Sequence, residues 1–211
     1  QNTTNHATAK PWTLFVSWLR PHYPLICPLE FYAMYPLAKM DQARFLDEPD
    51  LPQHPVLKTL RRNFNFDVHF VEHTRPIARA SYHVLRSLLY AQVGQVLGAL
   101  QASGQADNTL VIYTSDHGEA ADHHGILGKA NHYEHALGVP LLVAGPGIPQ
   151  GRVIDQFTSH VDLFPTIVEA MGGNSDEDDD FPGASLWPSI EGQETARTVL
   201  PESPALASRT F

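Results

Sequence analysis

DNTLVIYTSDHGEAADHHGILGKANHYEHALGVPLLVAG, residues 107–145, reads as a strand, a long polar loop and a second strand. Asp107 and Asn108 are turn formers, and Thr109-Leu110-Val111-Ile112-Tyr113 is a short apolar run rich in β-branched and aromatic residues, the pattern of a strand buried on both faces. Ser115, Asp116, His117 and Gly118 follow at its C-terminal end, the end where open α/β sheets gather ligand-handling residues. A carboxylate and an imidazole side by side suit two purposes. They can close a loop onto its own backbone, or they can hold a divalent metal through oxygen and nitrogen. Lys129 lies in the same loop, and Val139 to Ala144 form the second apolar strand, closed by Gly145-Pro146-Gly147.

Upstream, Leu85, Leu89, Val93, Val96 and Leu100 recur at three- or four-residue intervals within 79–103, which predicts an amphipathic helix ended by Gly104. Gly94 and Gly98 inside it weaken the helix, so they are expected to mark close packing on a sheet. A helix, a turn and a strand in succession predict an α/β crossover between parallel strands. Trp12 to Leu19 is a further aromatic and apolar run, expected as a buried strand, and it ends at Arg20-Pro21-His22-Tyr23-Pro24, where the prolines stiffen the loop around His22. Residues 36–76 are punctuated by prolines and charges and read as loop with short helical pieces. Their His54, His69 and His73 match no zinc spacing. Downstream, Gln150-Gly151-Arg152 predicts a turn and Val153 to Thr158 a short strand. Leu163 to Met171 predicts a helix with proline in its first turn and Gly172-Gly173 at its end.

The chain has 211 residues, 43% of them hydrophobic, which suits one domain with one core. We divide residues 1–211 into a polar leader at 1–10, the folded region and an acidic loop at 174–181, which lacks the spaced ligands of a calcium hand. The net charge of −9 argues against a nucleic-acid partner. No apolar run reaches the roughly 18 residues of a membrane span. Residues 1–11, QNTTNHATAKP, lack the pattern of a signal peptide and read as an interior cut; the sequence leaves the compartment open, with periplasmic and secreted locations compatible. The single cysteine, Cys27, excludes an internal disulfide.

The series TSDHGE, HHG, GK and VPLLVAGPG, joined by PHYP with Phe31, Tyr32 and Tyr35, by VDLFPT and by PGASL, resembles the sulfatase family of the alkaline phosphatase superfamily at matching spacings. That resemblance implies an α/β fold with a mainly parallel sheet sandwiched by helices, present here as a partial domain. It implies Asp116 and His117 as ligands of a calcium ion, Lys129 as a sulfate contact, and His22 as a donor to sulfate and acid for the leaving group. The family's nucleophile is a formylglycine made from cysteine in a C-x-P-S-R motif or a close variant. Cys27 reads Cys-Pro-Leu-Glu-Phe, with no such arginine, so it is rejected as the nucleophile and taken as a small, buried or partly exposed residue. The helix position where the family carries an Asp reads Tyr90-Ala91-Gln92 here.

The resemblance therefore implies part of a sulfuric ester hydrolase acting on a sulfated small molecule or carbohydrate. The formylglycine segment is expected upstream, and the isolated chain is expected to be inactive. Two alternatives stand beside it. One is a phosphodiesterase or phosphonate monoester hydrolase of the same superfamily, and the other is a noncatalytic sulfate-binding fragment. If the site is read correctly, His22, Asp116, His117 and Lys129 should converge on one cleft, with the strands at 12–19 and 109–114 in one sheet.

Overall fold

The computed structural model describes residues 11–40, 53–174 and 181–193, and the backbone of 207–208. The leader at 1–10 and most of the acidic loop lie outside the described residues.

The chain enters through Trp12 to Leu19 without pairing as a strand, and this corrects the expectation of a buried one. Leu14, Phe15 and Leu19 are exposed, Phe15 to 88%. The segment has strand-like residues, but no neighbouring chain among the described residues supplies the ladder that such a segment needs. Trp12 donates from Nε1 to Gln105 Oε1 at 3.1 Å, which ties the run to the turn after the long helix.

Three short helices follow: α1, Leu29–Tyr32; α2, Pro55–Asn63; and α3, Phe66–His69. Pro55 sits in the first turn of α2, where its missing N–H costs nothing. His54 caps the helix, its Nδ1 accepting from the Val56 amide at 3.3 Å. The proline-punctuated region is thus helical in pieces, as expected.

Helix α4, Arg75–Ala102, is the longest element. It starts earlier than the apolar periodicity suggests, because Pro76 opens its first turn instead of breaking it. Gly104, at φ +71°, follows its end in the left-handed conformation glycine tolerates. Ala80, Ser81, Val84 and Leu85 are its buried positions, and the later stripe from Leu89 to Leu100 is half-buried. Gly94 and Gly98 do not pack closely: a Cβ at either would meet nothing within 4 Å.

Strand β1, Val111–Thr114, pairs antiparallel with β2, Leu141–Ala144, in a register that sets Val111 against Ala144 and Thr114 against Leu141. Between them lie the long loop and α5, Glu134–Leu137. Strand β3, Thr158–Ser159, pairs antiparallel with β4, Ala207–Ser208. Residues 153–157 stay out of any strand. The α/β class holds, but the ladders among the described residues are antiparallel, so the parallel neighbours predicted for β1 are not found there. Helix α6, Leu163–Ala170, has Pro165 in its first turn, and α7, Trp187–Glu191, completes the described elements.

Two apolar clusters hold the site. Phe66, Ala120 and Ile126 form one, with Leu57, Leu60, Phe70, Leu127 and Tyr133 against it, so the loop after β1 is anchored on α2 and α3. Burying a side chain such as Ile126, 1% exposed, favours folding by about 1.5–3 kcal/mol. Leu141, Leu186 and Ile190 form the other, which joins β2 to α7.

A candidate anion and metal site at the end of strand β1

Asp116 and His117 leave β1 in a loop that bonds to itself, as the first of the two sequence readings expects. Asp116 Oδ1 accepts from the His117 amide at 3.0 Å. His117 Nδ1 lies 2.8 Å from the Gly118 carbonyl oxygen. A carbonyl oxygen can only accept, so Nδ1 carries the proton and Nε2 is the bare nitrogen of the neutral ring. These local bonds leave Asp116 Oδ2 and His117 Nε2, which face each other at 3.4 Å. A proton on Nε2 would make the two an ion pair, and a metal ion could be shared by both atoms.

The metal reading passes this test of fit. Both remaining donors are of kinds that bind divalent ions at about 2.0–2.6 Å. The second ring nitrogen is fixed by a backbone carbonyl, as it commonly is in metal-ligating histidines. The Asp116 side chain is 83% exposed, open to such a ligand. Among the described residues no group of three His, Cys, Asp or Glu side chains is placed to hold a metal, so Asp116 and His117 would be a partial ligand set.

Two distant segments brace this loop. His160 Nε2 lies 2.8 Å from the Ser115 carbonyl oxygen, which again fixes the nitrogen as the donor. Ser115 Oγ donates to the His117 carbonyl at 2.9 Å. His160 opens a helical turn that is itself clasped, because Asp162, fully buried, accepts from the Ser159 amide at 2.7 Å and the Ala184 amide at 3.1 Å. On the other side, the Gly118 amide donates to Ala136 O at 2.8 Å. A Cβ at Gly118 would run into the carbonyl oxygens of His135 and Gly138, so this glycine is required by close approach.

The loop from Glu119 to Lys129 is folded back by the Glu119 carboxylate, which accepts from the amides of Ala121, at 3.0 Å, and Gly128. Ala120 N donates to Gly128 O at 2.8 Å and Asp122 N to Ile126 O at 2.9 Å. Ala121, Asp122 and His124 all have positive φ, 46°, 77° and 58°, a concentration of strain that the surrounding bonds must over-determine. Asp122 is 2% exposed and pairs with Arg75 Nε at 3.4 Å. Burial outweighs the arginines Arg75 and Arg79 and pushes its carboxyl up to about 6. Tyr82 on α4 is pushed up to about 12, by burial first and then by the negative charge of Glu119. His123 stacks on His135 with ring centroids 3.9 Å apart, and His124 on Tyr133 at 4.0 Å. Burial, then the neighbouring His135, lowers the pKa of both His123 and His124.

Lys129 emerges from this pinned loop with its ammonium 5.7 Å from the centre of the Tyr23 ring. Tyr23 is the neighbour of His22, and the two rings lie 4.1 Å apart, tilted by 34°. His22 Nδ1 lies 2.7 Å from the Tyr23 carbonyl oxygen, so His22 has the same tautomer as His117, and its Nε2 can donate only when the ring is protonated. The structure therefore brings Lys129 to the PHYP loop and Asp116 to His117. The residues that sequence reading passed over are Tyr23, Glu119, Asp122 and His160. Glu119 closes the motif TSDHGE and bonds within its own loop, whereas His160 precedes VDLFPT and has its partner 45 residues away.

Comparison with known proteins accords with this architecture. The sulfatase family model matches residues 1–173. Choline-sulfatase of Rhizobium meliloti (strain 1021) is 33% identical over 204 residues, covering 94% of this chain and 39% of its own length. The multifunctional alkaline phosphatase superfamily protein PehA of Trinickia caryophylli is 30% identical over 86% of this chain and 38% of its own length. The phosphonate monoester hydrolase SpPMH of Silicibacter pomeroyi superposes with a TM-score of 0.76 at 31% identity, over 85% of this chain and 37% of that one. The chain spans about two-fifths of the length of these proteins. With that match, and with α/β architecture shared with alkaline-phosphatase-like hydrolases, the chain belongs to the sulfatase family.

Proposed function

We propose that this chain carries the metal-side and sulfate-binding half of an active site that hydrolyses sulfate monoesters. Hydrolysis needs fixed positive charge around the anionic oxygens and a proton for the departing alkoxide or phenoxide. Lys129 neutralises a sulfate oxygen, and Asp116 with His117 would hold a divalent metal ion, calcium in the family that the sequence resembles. When bound, that ion would supply Lewis-acid withdrawal of charge from the ester and would help hold the nucleophile. His22 presents Nε2 to the ester oxygen, and with Nδ1 committed to the Tyr23 carbonyl it serves as acid only in its imidazolium form. Formylglycine, the family's nucleophile, comes in this reading from residues outside the chain, since Cys27 lies outside any matching motif. The substrate class is a sulfated small molecule or carbohydrate.

The observation that supports this reading is that Lys129 and His22, the two residues expected to face one sulfate, both lie beside the Tyr23 ring. The test is to measure inorganic sulfate binding and aryl sulfate hydrolysis by the chain with added calcium. Sulfate binding weakened by Lys129→Ala, without multiple turnover, is the expected result. Turnover that survives both Asp116→Ala and Lys129→Ala would place the chemistry elsewhere.

A second reading is favoured by the phosphonate monoester hydrolases of Silicibacter pomeroyi and Agrobacterium radiobacter, which superpose with a TM-score of 0.76 at 31% and 29% identity. The same lysine, histidine and metal pair suit a phosphonate or phosphate ester. Parallel assays of the longer protein on aryl sulfate and phenyl phosphonate ester separate the two.

A further inference from the structure

We infer that Tyr23 is a positioning residue for Lys129: its ring face holds the ammonium in place while leaving the positive charge available to an anion. The inference rests on the reading of Lys129 as a sulfate contact. Lysine has among the largest side-chain entropies to lose on being fixed. A carboxylate partner would fix it but would cancel the charge that the anion must meet. Among the described residues Lys129 is in no ion pair. Its ammonium lies instead 5.7 Å from the centre of the Tyr23 ring, within the roughly 6 Å over which an aromatic face attracts a cation.

The ring is itself placed by its neighbours. It rests against His22 at 4.1 Å, its own carbonyl accepts from His22 Nδ1 at 2.7 Å, and the next carbonyl, of Pro24, accepts from Arg20 Nη1 at 2.6 Å. Both groups assigned to sulfate thus have this one aromatic residue as a neighbour. Tyr23 is 57% exposed, so core packing does not account for its position.

The test uses the chain with ¹³C-labelled lysine and inorganic sulfate as the probe, following the Lys129 ε-methylene resonance, identified by its loss in Lys129→Arg. Wild type and Tyr23→Phe, which keeps the ring face, should show the same ring-current shift and the same sulfate affinity. Tyr23→Leu should lose the ring-current shift and bind sulfate roughly two- to fivefold more weakly. All three should melt at the same temperature, since an exposed ring contributes little packing. Unchanged sulfate affinity in Tyr23→Leu, with Lys129 still responding to sulfate, overturns the role of Tyr23 and leaves the sulfate reading standing. A Tyr23→Phe variant as weak as Tyr23→Leu also overturns it, by showing that the hydroxyl and not the face matters. A Lys129 resonance that sulfate does not move in wild type overturns the sulfate reading and this inference with it.

Discussion

His160 donates from Nε2 to the backbone carbonyl of Ser115 at 2.8 Å, across 45 residues of sequence. That bond braces the carbonyl just before Asp116 and links the loop after β1 to the turn clasped by Asp162. His160→Leu removes the donor and leaves a half-buried carbonyl with only the long 3.4 Å bond from Thr114 Oγ1, so it should destabilise the fold by about 1–3 kcal/mol. His160→Gln offers an amide N–H in its place and should recover part of the loss. Thermal denaturation of the two variants checks this, and equal losses would show that the imidazole acts by packing alone.

Removing the Lys129 charge should act on chemistry and not on stability. On the proposed function, Lys129→Ala in an active form of the protein should lower kcat/KM for an aryl sulfate by roughly a hundredfold or more, as deletion of a group aimed at transition-state charge does. Its contact with the exposed Tyr23 ring is worth only about 0.5–1 kcal/mol to the fold. A variant that unfolds but retains its rate per folded molecule would mark Lys129 as structural.

Asp122 sets a pH dependence of stability whose sign follows from its raised pKa. The folded carboxyl holds its proton up to about 6, whereas an unfolded aspartate releases it near 3.9. Between those values the folded state binds more protons, so stability from this group is full below about pH 4 and is lost as pH rises through about 6. Its size is of order 1–3 kcal/mol. Asp122→Asn, an amide that tolerates the left-handed conformation at φ 77°, should flatten the profile in that window. Urea denaturation from pH 4 to 7 measures the slope, and an unchanged slope would assign it to other groups.

Thr166 is fully buried, donates to Asp162 O at 2.6 Å and accepts from the Leu186 amide at 2.9 Å. Thr166→Val keeps the volume but leaves that amide without its partner, so about 1–3 kcal/mol of stability should be lost. The effect should appear as a lower urea midpoint at constant m-value.

Much of this protein was legible in order along the chain. The period of Leu85, Leu89 and Val93 set a helix because i, i+3 and i+4 positions share one face whatever surrounds them. Pro165 and Gly172 bracketed α6 because both act through local backbone geometry. The motifs around Asp116, His117 and Lys129 identified the family because the spacing of a loop after a strand is a local property too.

What required tertiary structure is the set of relationships that join distant residues. Trp12 to Leu19 has the composition of a strand, but strand formation depends on a partner's ladder, and among the described residues the run has none. Gly94 and Gly98 looked like packing sites, yet open space lies beside them, because a missing side chain does not say what approaches it. The tautomers of His22 and His117 follow from carbonyl oxygens next in sequence, but only the folded backbone turns those carbonyls toward the rings. The bond from His160 to Ser115 and the seat of Lys129 on Tyr23 are decided by packing alone, since nothing in one segment's residues records which other segment will lie against it.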